Sequence, residues 1–255
     1  MLDLAVFTAL GWERRAAIDG LGASEQIGSR TWRGRLGDGA SCLVVQTGVG
    51  PERARAAAAA IEPARLFLAC GCAGALIGRL EPGDLVAAES VIALDGDGAI
   101  SERLPAGADP LAAWAHSRGI DLHVGPFASV PAVLESARAK REAGAHGAVV
   151  VEMECAAIAA GARARGIPFV GIRVVLDVRG QAVPALGAID EMTGEMRIGR
   201  AVAQLAVRPW LWPAVGRLAR QTRIADERLR TVLAALFAAG MSALVGEPPV
   251  VSAIG

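Results

Sequence analysis

The stretch Gly147–Asp177, GAVVVEMECAAIAAGARARGIPFVGIRVVLD, decides the reading of the fold. Ala148–Val151 is a short apolar run of the kind found in strands buried on both faces. Glu152-Met153-Glu154 follows, and Cys155–Arg165 keeps small residues on a helical spacing until Gly166 stops it. Pro168 opens a second apolar run, Phe169–Leu176, which ends on Asp177. Strand, helix and strand in this order predict a βαβ unit whose parallel strands share one carboxyl edge of the sheet. On that expectation Glu154 and Asp177 lie on one rim, where open α/β sheets bind ligands. Two acids on one rim are the main functional signal in the chain.

Working outward, Leu2–Thr8 reads as a first strand, and Gly11-Trp12-Glu13-Arg14-Arg15 opens a helix. Leu43–Gln46 is a strand with a hairpin partner in Arg30–Gly39. Thr47-Gly48-Val49-Gly50-Pro51 then turns into the helix Glu52–Ile61, Pro51 suiting the first helical position. Leu66–Cys70 is a strand that ends in Gly71-Cys72-Ala73-Gly74; Leu85–Leu94 and Val124–Val130 are strands, Pro110–Arg118 and Ala132–Ala143 helices. Beyond Gly180 the chain reads as a loop, Ala182–Gly194, then helices near Met196–Val207, Pro213–Thr222 and Arg223–Ala239. No repeat or linker is evident, so residues 1–255 are read as one domain, with a core over about 1–180 and a helical part over about 181–255. The expected class is α/β: a mixed, largely parallel central sheet flanked by helices, with a helical C-terminal extension.

Composition narrows the function classes. With 26 basic and 26 acidic residues the chain has no net charge, and no global field draws it to nucleic acid. Tyrosine is absent and aromatics are few, which argues against a base-stacking platform. Lys140 is the one lysine among the basic residues, a bias from which no function is read. Cys42, Cys70, Cys72 and Cys155 sit in apolar or glycine-rich settings and read as buried, reduced thiols. No CxxC or histidine cluster accompanies Cys70-Gly71-Cys72, and His116, His123 and His146 are scattered, so no metal site is expected. Mean hydropathy is high at +0.41, but the uncharged run Thr231–Gly246 is broken by Gly240 and falls short of the roughly 18 apolar residues of a span. Asp3 interrupts any signal peptide, so a soluble, cytoplasmic protein is expected.

The motifs carry chemistry of different specificity. Gly48-Val49-Gly50 starts like a dinucleotide fingerprint, but Arg53 stands at the third glycine and no Walker lysine follows, so no nucleotide cofactor is expected. A glycine turn into a helix N-terminus still offers N–H groups to an anion, and equally serves as a tight turn. Gly71–Gly74 either lets backbone approach a ligand or serves close packing. Glu154 near a helix N-terminus is expected to be ionised and able to accept two hydroxyl hydrogen bonds, as from a ribose diol. Asp177 at the end of an apolar strand is expected to hold its proton and act as a general acid, its plainer reading being a cap or turn residue. Arg173 reads as an ion-pair residue beneath the rim.

Val151-Glu152-Met153-Glu154 with Ile167-Pro168-Phe169, Arg173 and Asp177 resembles the nucleoside phosphorylase and nucleosidase superfamily. Thr47-Gly48-Val49-Gly50 and Gly71-Cys72-Ala73-Gly74-Ala75-Leu76, followed by Gly83-Asp84-Leu85-Val86, resemble its two glycine-rich blocks in order. The resemblance covers about residues 2–180 and implies cleavage of an N-glycosidic bond. It implies that Asp177 protonates the leaving purine at N7, Glu154 binds the ribose hydroxyls, Met153 lies against the sugar and Val133–Leu134 lines the base. Glu152, Ala73 and Gly74 complete the expected substrate-binding set. Glu13 falls where the adenosyl-thioether nucleosidases keep the acid that activates water. For a phosphate co-substrate the expected site is Gly48, Val49, Gly50 and Cys72 with Arg14 or Arg53. Three positions depart from the family pattern: Ala69 replaces an arginine and Cys72 a serine of the hexameric phosphorylases, and Leu176 replaces the serine before the catalytic aspartate.

Arg208-Pro209, Leu218-Ala219-Arg220 and Ala225–Leu236 resemble the hopanoid-associated phosphorylase branch. That resemblance implies release of adenine from a nucleoside with a bulky apolar substituent, adenosylhopane-like, in hopanoid biosynthesis. It carries with it a lipid-linked small-molecule partner, a homo-oligomer and a peripheral contact with the inner membrane, to which Leu205, Val207, Trp210, Leu211 and Trp212 would contribute; their plainer role is core or interface. The sequence leans towards phosphorolysis. The alternatives are a methylthioadenosine/S-adenosylhomocysteine-type nucleosidase, a general purine nucleoside phosphorylase, and a nucleoside-binding sensor without catalysis.

Overall fold

The computed structural model describes residues 1–181 and 211–246. The expected loop Ala182–Gly194, the helix Met196–Val207 and Arg208 to Trp210 lie outside the described residues. Strands β1 (Leu2–Thr8), β4 (Ser41–Gln46), β5 (Ala64–Ala75) and β10 (Phe169–Asp177) form the parallel centre of a mixed sheet, β1 lying between β4 and β5. The hairpin β2 (Ser24–Gly28) and β3 (Thr31–Arg35) extends β4 on one side. On the other, β6 (Leu85–Leu94) runs antiparallel to β10, and β7 (Ile100–Pro105) antiparallel to β6. Strand β8 (Leu122–Ser129) is parallel to both β6 and β9 (Val150–Glu152).

One pairing corrects the sequence reading. β9 runs antiparallel to β5, with Gly74 opposite Val151 and Ala75 opposite Val150, whereas β10 runs parallel to β5. β9 and β10 are therefore not the parallel strands of a simple βαβ unit. The pairings β5–β10–β6–β8–β9–β5 instead close a ring. The acids still meet, because the last residues of β5 pair with both neighbours: Gly74 faces Asp177 on one side and Val151 on the other.

Both sheet faces are covered, which explains the near-continuous apolar strands. In β1, Leu4 and Val6 enter one core cluster while Ala5 and Phe7 enter the other, the two-residue alternation of a strand. The first face is covered by α1 (Gly11–Gly20), α3 (Asp109–Ser117) and two C-terminal helices, α6 (Trp212–Ala239) and α7 (Ser242–Val245). The second is covered by α2 (Pro51–Ala60) and α5 (Cys155–Arg163), whose alanines allow close approach. Helix α4 (Ala137–Gly144) packs near β9.

Residues Pro213–Thr222 and Arg223–Ala239, read as two helices, are one helix of 28 residues. Neither glycine nor proline stands near the expected break, so nothing interrupts the hydrogen-bond ladder. Gln221, Ala225, Leu229, Val232, Leu233, Leu236 and Phe237 make one buried stripe against α1 and β10. Gly240, at φ +80°, ends the helix, its N–H donating to the carbonyls of Leu236 and Phe237. Of the apolar tail positions that are described, Leu211 is half-buried and Trp212 is 61% exposed, so Trp212 is not a core residue of this chain. Among the described residues no helix is long and apolar enough to cross a membrane, and no group of His, Cys, Asp and Glu is placed to hold a metal ion.

Candidate active site

The glycine block expected to follow a strand lies inside one. Gly71 and Gly74 belong to β5, and what each makes room for is a carboxylate. A Cβ on Gly71 would lie 2.6 Å from Oε1 and 2.9 Å from Oε2 of Glu13. One on Gly74 would lie 3.1 Å from Oδ2 and 3.3 Å from Oδ1 of Asp177. Two acids from distant parts of the chain thus press on the same strand backbone.

Glu13 enters from the first turn of α1. Its Oε2 accepts from the N–H groups of Ala9 and Leu10, both at 2.9 Å, so it caps its own helix. Its Oε1 accepts from Cys72 N–H at 2.8 Å, which ties α1 to β5. Burial pushes the Cys72 thiol well up, with Glu13 adding to the effect, so the sulfur stays neutral beside the carboxylate. Cys42, Cys70 and Cys155 are likewise free and buried, Cys70 pushed up to about 12 by burial.

Glu152 and Glu154 have distinct environments. Glu152 Oε2 accepts from Arg173 Nη2 at 2.6 Å and from the N–H groups of Glu154 (3.0 Å) and Cys155 (2.8 Å). Burial opposes its ionisation most, yet Arg173 and these hydrogen bonds outweigh it and hold Glu152 below the usual carboxylate range. Glu152, not Glu154, is therefore the anion at the start of α5. Glu154 Oε1 accepts from Gly50 N–H at 2.8 Å, while its Oε2 is 3.9 Å from Arg173. Burial first, then repulsion from Glu152, pushes Glu154 up to about 7. The ionised Glu154 expected from the helix dipole is thus opposed by stronger effects. Arg173 does serve as the buried ion-pair residue.

Gly50 sits at φ +100°, a left-handed region that suits glycine, and so directs its N–H at Glu154. This bears on the expected phosphate site. The Gly50 and Cys72 N–H groups are taken by carboxylates. Arg14 Nη1 donates to Gln46 Oε1 at 3.0 Å, and its guanidinium lies 4.8 Å over Trp32. Arg53 Nη1 donates to the Val49 carbonyl at 3.1 Å. Neither arginine lines the cavity described next, and neither do Gly48 or Gly50.

Glu13, Glu154 and Asp177 open on one cavity together with Glu152, Met153 and Cys72. Val133 and Leu134, on the segment before α4, lie on its wall, as do Val49, Ala73 and Gly74. Among the lining residues that the sequence reading left without a role in the site are Leu10, Leu218 of α6 and Lys140 of α4. Lys140 is buried and its Nζ donates to Asp177 Oδ2 and, at 3.1 Å, to the Val178 carbonyl. Its singularity among the basic residues was the available signal. Burial raises Asp177 above the ordinary aspartate value, with Lys140 opposing.

The cavity thus brings four carboxyl groups, a buried lysine and an apolar wall together. Residues 3–209 match the protein-family model described as the phosphorylase superfamily. No curated protein matches the chain. Among solved structures, the chain resembles a methylthioadenosine/S-adenosylhomocysteine nucleosidase of Neisseria meningitidis in complex with methylthio-immucillin-A. Identity is 20%, coverage 92% of this chain and 98% of that one, and the TM-score 0.68. For a futalosine hydrolase of Helicobacter pylori these values are 17%, 92%, 98% and 0.66. For a nucleosidase of Colwellia psychrerythraea in complex with adenine they are 23%, 80%, 96% and 0.62.

The resemblance to a hopanoid-associated branch is corrected by these matches, which are to nucleosidases and a futalosine hydrolase. The segments that carried it have a packing explanation: Leu218–Arg220 and Ala225–Leu236 are turns of α6, and the buried stripe within them packs against α1 and β10. The tie to hopanoid biosynthesis falls with it. What the match over residues 3–209 establishes is broader: the chain belongs to the phosphorylase superfamily.

Proposed function

We propose that the protein hydrolyses the N-glycosidic bond of a purine nucleoside, an adenine nucleoside with an apolar substituent on its ribose being the favoured substrate. Asp177 gives a proton to N7 of the leaving base, and Glu154 accepts hydrogen bonds from the ribose hydroxyls. Glu13 takes the proton of the attacking water. Met153 lies against the sugar and Val133–Leu134 against the base. Leu10, Val49 and Leu218 supply apolar wall for a thioether-like substituent. The nucleosidase structure in complex with methylthio-immucillin-A supports the same substrate class.

The observation that carries water over phosphate is the occupation of the anion donors. Gly50 and Cys72 point their N–H groups at Glu154 and Glu13, so a phosphate dianion would find these donors taken and would meet the Glu154 charge wherever that group is ionised. Like charges at such short range in a buried site repel strongly. The test is product analysis with methylthioadenosine and adenosine, with and without saturating phosphate. Free sugar at the same rate in both conditions is expected. Phosphorylated sugar would establish phosphorolysis instead, and tight binding without base release would return the sensor reading.

A pH dependence follows from Glu154, whose hydrogen-bond role needs the ionised form. Its raised value of about 7 means that the proton returns as pH falls through neutrality, removing acceptor capacity. KM is therefore expected to rise as pH drops from about 8 to 6, a range set by that value. In Glu154→Gln the KM should be high and flat across this range. A wild-type KM that is constant there would argue against the assignment.

A further inference from the structure

We propose that Lys140 is a positioning residue for this cleavage: its buried ammonium fixes the Asp177 carboxylate at the leaving base and stabilises the anion left once the proton has gone. The inference rests on the hydrolase reading above. It begins with a chain that uses arginine at every other basic position and lysine only here. A guanidinium is broad and planar, whereas an ammonium is a compact charge that fits beside one carboxylate oxygen.

Helix α4 presents Lys140 inward while Arg138, Arg141 and Glu142 remain exposed. Ser136 caps the helix, its hydroxyl accepting from Ala139 N–H at 3.1 Å. A buried ammonium persists only when paired and hydrogen-bonded. Lys140 Nζ meets that demand with Asp177 Oδ2 and the Val178 carbonyl. The carboxylate also rests on Gly74, where a Cβ would approach Oδ2 to 3.1 Å and Oδ1 to 3.3 Å. Lys140 engages Oδ2 and the strand backbone at Gly74 supports the carboxylate, so Oδ1 is the oxygen left for a base nitrogen.

The proton inventory balances. Oδ1–H goes to N7 as the glycosidic electron pair passes to the base, leaving Asp177 anionic beside Lys140. Water bonds to the anomeric carbon and its proton goes to Glu13, from which solvent returns it to Asp177 after release of base and sugar. The other charged groups on the cavity are Glu13 from α1, and Glu152 and Glu154 from β9 and the start of α5, with Arg173 of β10 paired to Glu152.

Burial and Lys140 act on Asp177 in opposite directions. Without Lys140 burial is unopposed, so the acid keeps its proton to higher pH and gives it up less readily. In Lys140→Met, kcat for purine nucleosides should fall about 10–10²-fold, part of the range for general acid catalysis, and the alkaline limb of the kcat profile should move to higher pH. Lys140→Arg should move the limb back towards wild type. A second substrate separates chemistry from folding: para-nitrophenyl riboside expels a phenolate that needs no proton. The ratio of purine to nitrophenyl rates should drop at least about tenfold in Lys140→Met, because only one leaving group needs the acid. An unmoved limb with an unchanged ratio would reduce Lys140 to packing and overturn the proposal. If the wild-type protein releases neither base nor nitrophenol, the hydrolase reading fails, and this inference fails with it.

Discussion

Asp177→Asn is expected to lower kcat for purine nucleosides by about 10²–10⁴-fold, the usual contribution of a positioned general acid. The amide keeps the shape of the side chain and its oxygen can still accept from Lys140 Nζ, but it has no proton for N7. Where Asp177 is ionised it forms a buried ion pair with Lys140, and breaking such a pair by deleting one partner costs about 3–5 kcal/mol. Retaining the acceptor should leave the actual loss below that range. Thermal unfolding should therefore come at a lower temperature, and kcat should be compared well below the transition. KM should change little, because Asp177 acts on the departing base rather than on the sugar. Near wild-type turnover in a folded Asp177→Asn protein would remove the acid from this mechanism.

Glu13→Gln is expected to lower turnover by a comparable factor of about 10²–10⁴, for a different reason. The carboxylate accepts from Ala9, Leu10 and Cys72 N–H groups. An amide offers one acceptor oxygen and one donor nitrogen, so it cannot satisfy both sides. If its oxygen caps α1, its NH₂ faces the Cys72 N–H, donor against donor. If it turns round, the helix loses its cap, at a cost of about 0.5–2 kcal/mol. In either orientation the amide cannot take a proton from water. Addition of phosphate should not restore turnover, since the donors that a phosphate would need remain directed at side chains. Recovery of the Gln variant at saturating phosphate, with phosphorylated sugar as product, would show that Glu13 had been excluding a phosphate site.

How much of this was legible in the sequence differs from residue to residue. Glu13, Glu154 and Asp177 stood out because each follows a strand or opens a helix, and such boundaries are written locally in glycine, proline and apolar runs. Gly71 and Gly74 were legible as either a ligand approach or close packing, but not as packing against particular side chains. Only the fold brings Glu13 and Asp177 against β5 and shows that the missing side chains are space for carboxylates. Lys140 was visible as a compositional oddity and nothing more, since its partner lies 37 positions away. The break expected near Thr222 failed because nothing in that sequence breaks a helix.

The sequence by itself determined the order of strands and helices through most of the described chain, the covering of both sheet faces, and which acids end near the sheet edge. These follow from periodicity and punctuation within windows of about ten residues, where backbone geometry rules. Only the tertiary structure decided that β9 runs antiparallel to β5, that five strands close a ring, and that Glu152 takes Arg173 while Glu154 takes Gly50. The Gly50–Glu154 bond joins residues 104 positions apart, and no local pattern encodes such a pairing. The same holds for the protonation of the acids: it depends on burial and on which charge lies nearest, and both are properties of the packed molecule.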